Sequence, residues 1–437
     1  MTILCYIMTA IAIDYLHVCG VRSSEGRATG IRPERTPGRG PARQARERET
    51  AVTNEQAVKD AKSVTDRDRF VDTFEYRPVD RVPNWEAGCW GQTRERWEAE
   101  GLAGKELCWN WWYGEEYFGM DHRLFVPVSF GMTRPFEQRV LEETDEYEIF
   151  VTNKGITRKG LKHGRSKHGT RASMDQFMDF PVKTREDFVE MRKRYDTAVE
   201  KQYPKDWRTA ELPGWKSATV PTILGRNCST AGFYWRAREW MGTEALCYAW
   251  YDQPDLMHEM MEFIADFTIE VAGPALEEMD FDYVMIAEDM AMKSGPLLGP
   301  DTFREFIFPH LKRLVEFLKG GGVRYVMVDT DGNSEPLLPM LLDAGVDAIW
   351  PIERASCDMD PIELRRKYGR SLRLFGGVDK RELARGPAAI DAHLASLLPL
   401  IEEGGFIPTV DHTVPPDVSL DNFRYYMDRK AALLRGR

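Results

Sequence analysis

Asp329 and Asp331 stand one residue apart at the end of the apolar run "VRYVMVD", and Gly332 and Asn333 follow at once. Residues two apart on a strand project to one side, so both carboxylates are expected to face the same space. Two anions that close repel, and each raises the pKa of the other unless a cation or a proton lies between them. A cation is the economical answer. Glu353 closes the next β-rich run, "DAIWPIE", and His412 closes the last, "GFIPTVDH". Oxygen and imidazole donors of this kind suit a divalent ion such as Zn, Mn, Fe or Mg rather than a thiolate-bound zinc. A proton-sharing carboxylate pair, or a network with Arg226 and Lys380, would meet the same electrostatic need without an ion.

Two short patterns overlap the acidic turn and neither fits. In the calcium loop the glycine follows three alternate ligands, whereas Gly332 comes directly after the second aspartate. "VMVDTDGN" also resembles the aspartyl nucleophile of haloacid-dehalogenase-type phosphatases, but that motif opens its domain and here several strands come first.

The elements that would carry these groups repeat along the second half of the chain. "ATVPTILG", "DYVMIAED", "VRYVMVDTDG", "DAIWPIE", "LRLFGGVDK" and "GFIPTVDH" are short β-rich runs separated by stretches of helical period, such as 300–319 and 387–402. Strand and helix in alternation imply parallel strands joined by crossovers, and continuous apolar character implies strands buried on both faces. Residues 82–89 read as a further, first strand. A (β/α)8 TIM-type barrel fits best, since no run carries a Gly-rich dinucleotide fingerprint and no nucleotide cofactor is expected. Polar groups collect where the runs end, at Arg226, Glu288-Asp289, Asp329-x-Asp331, Glu353, Asp379-Lys380 and Asp411-His412. In a parallel barrel those ends converge on one face.

Beside the barrel, residues 90–118 hold Trp90, Trp97, Trp109, Trp111 and Trp112, which predicts an aromatic-rich N-terminal cap over something apolar. Residues 147–163 alternate around Asn153-Lys154-Gly155 as a hairpin would, inside an insertion spanning about 100–180. Arg, Gly and Pro dominate from Arg22 to Arg48 and the first lysine is Lys59, so residues 1–52 are expected to be a disordered extension, as a mis-called start would produce. The working domain is placed at 66–437.

Charge excludes some partners. With 70 acidic against 59 basic side chains in 437 residues, the net charge of −11 argues against nucleic acid or an anionic membrane surface and for a small molecule. No apolar span reaches the ~20 residues of a membrane helix. Seven cysteines without a C-x-x-C pair predict a reducing, cytoplasmic setting.

"RPVDRVPNWEAG", "GPLLGPDTFREFIFPHLKRLVEFLKGGGVRYVMVDTDGN", "LLDAGVDAIWPIE", "LFGGVDK" and "VPPDVSLDNFRYYM", in that order from about Asp66 onward, resemble the uroporphyrinogen decarboxylase superfamily, which includes corrinoid-linked methyltransferases. The resemblance implies a TIM-type barrel and a homodimer. "VPNWEAGCWGQ" departs from the arginine-rich segment with which true decarboxylases grip a many-carboxylate porphyrinogen. The methyltransferase branch carries an H-x-C-G turn and a cysteine on the last strand that bind zinc, and Asp329, Asp331 and His412 stand at the matching positions.

Together these readings predict a methyltransferase or demethylase acting on a small oxygenated substrate, with a corrinoid protein as acceptor. Asp329, Asp331 and His412 would hold the divalent metal, with Glu353 as fourth ligand or base. Glu288 would act as general acid, its pKa raised by neighbouring carboxylates. Lys380 and Arg226 would orient an anionic part of the substrate, with Asp289, Asp379, Trp85 and Trp90 completing its pocket. A carboxy-lyase acting on a carboxylated substrate or tetrapyrrole, and a non-catalytic ligand-binding barrel, are the alternatives.

Overall fold

The computed structural model of the chain describes residues 64–102, 116–164, 174–225 and 230–435. Arg226, Trp109, Trp111, Trp112 and the 1–52 extension lie outside them.

The six apolar runs form the strands Thr222–Leu224, Phe281–Ala287, Val323–Asp329, Ala348–Ile352, Arg373–Val378 and Phe406–Val410. With Leu124–Val126 at one edge and Thr230–Ala231 pairing onto Phe281–Ala287, they make one parallel sheet of eight strands. All seven residues of Phe281–Ala287 are buried, as a strand covered on both faces requires. Helices supply the outer cover. Pro254–Leu276 packs on Phe308–Gly320, which packs on Val323–Asp329, and Pro387–Glu403 lies against Phe406–Val410. The expected helix 300–319 runs from Pro300 to Gly320, interrupted by a π-helical turn at Phe303–Ile307.

The sheet curls as half a barrel, and among the described residues its ladder does not close. Residues 82–89, expected as the first strand, make one isolated bridge, Cys89 to Val414. Side chains stand in for the missing ladder. Pro83 has no amide to donate. Val410 N donates to Glu86 Oε2 at 2.8 Å, Asn84 N donates to Asp121 Oδ2 at 2.8 Å, and Asp121 N donates back to Asn84 O at 2.9 Å. The segment therefore touches the last strand on one side and the approach to the first on the other.

Trp85, just before the expected cap, and Trp97, within it, are packing groups. Trp85 is 1% exposed and lies against Phe70 at 5.4 Å and Phe375 at 5.8 Å, with the Arg123 guanidinium 4.2 Å from its ring centre. Trp97 stacks on Phe423 at 4.7 Å and donates to Val418 O at 2.9 Å.

Arg139–Glu143, Tyr147–Val151, Thr157–Leu161 and Gln176–Asp179 form a separate antiparallel sheet. Tyr147 pairs with Leu161 and Val151 with Thr157, so the central hairpin turns at Asn153-Lys154-Gly155. Gly155 has φ +81°, and a Cβ there would meet the Phe136 ring at 2.8 Å. Lys154 forms an ion pair with Glu239 on the helix Phe233–Met241.

Glu86 also ties the last helix to the sheet. Its Oε1 accepts from Lys430 Nζ at 2.6 Å and from Tyr426 OH at 2.6 Å, and Lys430 Nζ also donates to Trp85 O at 2.7 Å. Lys430 is fully buried. Burial pulls its pKa down, against the pull of Glu86. Removing one partner of such a pair strands a charge without solvent, so Lys430→Ala is expected to lose about 3–5 kcal/mol of unfolding free energy. Urea unfolding followed by tryptophan fluorescence checks this, and a loss below about 1 kcal/mol would show that the pair is not needed.

Candidate active site

Backbone bonds knit the strand ends into one rim. Glu288 N donates to Asp329 O at 2.8 Å, Thr330 N to Trp350 O at 2.9 Å, and Asp411 N to Val378 O at 2.8 Å. The polar residues expected at the rim are therefore held close together, but their partners differ from the expected ones.

Asp331 and His412 meet. Asp331 Oδ1 lies 3.6 Å from His412 Nε2. On the other side of the imidazole, Thr413 Oγ1 is 2.8 Å from Nδ1, and the ring stacks on Trp350 at 6.4 Å. Burial holds His412 in its neutral form, pushed down to about 3, with Lys380 adding to the effect. Asp331 moves the other way. Burial raises its pKa well above the usual value, followed by the charges of Glu353, Asp289 and then Asp329, with Lys380 opposing. Asp329 is raised by burial, then by Asp289 and Glu353.

The expected mutual repulsion of Asp329 and Asp331 is thus a minor effect. The strand ends at Asp329, so alternation stops there, and Gly332 turns the chain with φ +76°. A Cβ on Gly332 would come within 2.7 Å of the Met292 backbone.

Glu353 secures that turn. Its Oε2 accepts from Gly332 N at 2.8 Å and from Ser356 Oγ at 2.7 Å, while Oε1 stands 3.9 Å from Lys380 Nζ. Lys380 Nζ is also 3.6 Å from the fully buried Asp411. Asp411 accepts from Ala355 N at 2.7 Å and Lys380 N at 3.2 Å. Burial raises its pKa against the pull of Lys380.

Five other expected residues have other partners or places. Glu288 accepts from Phe233 N at 2.9 Å and Tyr234 N at 2.7 Å, so it sits at the start of the helix Phe233–Met241. Its pKa is raised to about 7, but the cause is burial, opposed by those amides, rather than neighbouring carboxylates. Asp289, at φ +42°, forms an ion pair with Arg238. Asp379 caps the helix Lys380–Arg385, accepting from Arg381 N at 2.9 Å, and pairs with the Arg381 side chain at 2.7 Å. Trp85, enclosed in the core, cannot reach a substrate, and Trp90 is a half-buried residue at the start of the helix Gly91–Ala99.

Comparison with known proteins places this arrangement. Residues 236–432 match the uroporphyrinogen decarboxylase family. A uroporphyrinogen decarboxylase of Nocardia farcinica is 28% identical over 181 residues, 40% of this chain and 47% of the relative. One from Gloeobacter violaceus is 21% identical over 267 residues, 59% of this chain and 71% of the relative. The chain thus spans about half the length of the first of these curated relatives. A methyltransferase from Methanosarcina mazei has a similar fold, with TM-score 0.52 and 16% identity over 85% of this chain and 99% of that one. The family match over residues 236–432 and these relatives support a kinship with the uroporphyrinogen decarboxylase superfamily, and the solved structure agrees in fold.

Whether the rim offers a metal centre turns on its donors. Asp331 and His412 are spaced as two ligands of one ion can be, since donors ~2.1 Å from a shared tetrahedral ion stand roughly 3.4 Å apart. Among the described residues, however, no group of three or more His, Cys, Asp and Glu side chains is set to hold an ion. Asp329 and Glu353 therefore do not join the pair as the expected ligands, and Glu353 Oε2 is already committed to two donors. Cys357 does not supply a thiolate either, because its Sγ donates to Glu353 O at 3.1 Å and burial raises its pKa. No helix among the described residues is long and apolar enough to cross a membrane.

Ser356, Thr413 and Arg238 carried no sequence signal: Arg238 meets Asp289 on another element, and Ser356 and Thr413 act on the nearby Glu353 and His412 through hydroxyls of a common residue type. Asp411 stands beside His412 in "TVDH", which marked the position but not its use.

The raised pKa of Glu288 makes its stability contribution fully present below the unfolded value and lost as pH rises through about 7. Urea unfolding of wild type and Glu288→Gln across pH 5–8 is expected to show the advantage of wild type shrinking by about 3 kcal/mol as pH rises, at roughly 1.4 kcal/mol per pKa unit. A gap independent of pH would contradict this.

Proposed function

We propose that the protein is a methyl-transferring enzyme that acts on a small oxygenated substrate, a methyl ether in the simplest case, with Asp331 as proton donor and His412 as its partner at the rim. The observation that carries this reading is the contact between Asp331 Oδ1 and His412 Nε2, 3.6 Å apart, among Asp289, Asp329 and Glu353. A carboxylic acid kept protonated beside a neutral imidazole can hydrogen-bond an ether oxygen and give it a proton as the carbon–oxygen bond breaks.

The balance is simple. The methyl group passes to a nucleophilic acceptor, the bonding electrons stay on oxygen, and oxygen takes the Asp331 proton. Asp331, now a carboxylate, recovers a proton from solvent. The expected acceptor is a low-valent corrinoid carried by a partner protein.

The site also disfavours the substrate of the curated relatives. Lys380 faces Glu353 and Asp411, Arg238 is engaged by Asp289, and the neighbouring carboxylates would repel a polycarboxylate. A divalent ion held by Asp331 and His412, with the remaining positions open to water or substrate, is the second reading and rests on their spacing.

Purified protein supplied with a panel of aryl and alkyl methyl ethers and reduced cobalamin is expected to form methylcobalamin, read by absorbance. Asp331→Asn is expected to slow that formation by at least about 100-fold, the usual range for loss of a positioned proton donor. Release of CO2 from uroporphyrinogen without methyl transfer would replace this function with decarboxylation. Stabilisation by a ligand without any turnover would leave a binding protein. Elemental analysis showing one equivalent of metal, lost in both Asp331→Ala and His412→Ala, would favour the second reading.

A further inference from the structure

We infer that Ser356 and Asp411 are positioning residues that complete a circuit of hydrogen bonds, closed by one polar contact, around the rim and thereby set the separation of Asp331 from His412. The inference rests on the proposed role of that pair. Neither residue is placed to touch a substrate, since Asp411 is fully buried and the Ser356 hydroxyl is turned onto Glu353.

The circuit can be followed atom by atom. Asp331 is bonded through the chain to Gly332, whose amide donates to Glu353 Oε2 at 2.8 Å. The same oxygen accepts the Ser356 hydroxyl at 2.7 Å. One residue before Ser356, the Ala355 amide donates to Asp411 Oδ2 at 2.7 Å, and Asp411 is bonded through the chain to His412. His412 Nε2 then faces Asp331 Oδ1 at 3.6 Å and closes the loop. Lys380 braces it from inside, 3.9 Å from Glu353 and 3.6 Å from Asp411. The ends of three strands, Val323–Asp329, Ala348–Ile352 and Phe406–Val410, are thus held in one ring.

A ring transmits error. Without the Ser356 hydroxyl, Glu353 Oε2 keeps a single donor and can swing toward Lys380, taking the Gly332 amide and Asp331 with it. Without a charge at residue 411, Lys380 loses one of its two carboxylate neighbours and Ala355 loses its stronger acceptor. Reacting groups displaced by about 1 Å commonly cost about 100-fold in rate.

Ser356→Ala, Ser356→Thr and Asp411→Asn test the inference by turnover and by crystal structures. Ser356→Ala and Asp411→Asn are expected to lower kcat by at least about 10-fold with KM within about 2-fold, while Ser356→Thr restores most of it. In the crystals the 3.6 Å separation is expected to change by at least ~0.5 Å in the two damaging variants and to hold in Ser356→Thr. An unchanged separation in both damaging variants would overturn the inference, whatever the rates. If no variant or wild type turns over any substrate, the proposed reaction fails while the crystallographic separation still decides the positioning role. A fall in kcat shared by Ser356→Thr would also overturn it, because a retained hydroxyl should retain the circuit.

Discussion

One carboxylate, Glu86, joins parts of the chain that backbone pairing leaves apart. It accepts the amide of Val410 on the last strand and the side chains of Tyr426 and Lys430 on the last helix, and it belongs to the segment that lies beside the first strand. A parallel sheet with unpaired edges exposes backbone groups that need partners, and here a side chain meets that need where proline and irregular backbone prevent a ladder. The charge it brings inside is matched by Lys430, so the closure is electrostatic as much as it is sheet-like. By tying the last strand to the last helix, Glu86 helps to hold the curl that brings the strand ends of the rim side by side.

The same economy operates at the other end of the strands. Carboxylates at the rim have few cations to meet, and burial moves Asp329, Asp331 and Asp411 toward their protonated forms. Two ways of tolerating acids in a protein interior appear side by side. Asp289 and Asp379 are matched with Arg238 and Arg381, whereas Asp331 stands against a neutral imidazole. The first kind is spent on architecture. In the second kind burial shifts the acid toward its protonated form, and that shift is the property on which the proposed methyl transfer draws.

Much of the architecture was legible in the sequence because strand burial writes itself as continuous apolar runs, and all six runs became strands. The helix at 387–402 and the hairpin about Asn153-Lys154-Gly155 were legible for similar local reasons. What failed was the extension of a local rule past its element. Asp329 and Asp331 were expected to project to one side of a strand that in fact ends at Asp329. Residues 82–89 look like a strand by composition but are held by side chains, one of them 344 residues away in sequence. Trp85 was expected in the pocket because aromatic residues cluster in that stretch, yet a single tryptophan gives no sign of which face it turns inward. The shortest bonds that place Glu353 and Asp411 include ones from the backbone amides of Gly332 and Ala355, and no residue type announces those.

The pairing of Lys154 with Glu239 gives the antiparallel sheet a mechanical consequence. Glu239 is the neighbour of Arg238, which grips Asp289 at the rim, and the first turn of the same short helix rests on Glu288. The helix is therefore a lever pinned at three points, with the hairpin tip as its handle. This helix thus gives the outlying sheet a direct structural connection to the acidic rim, one that does not pass through the sheet interior.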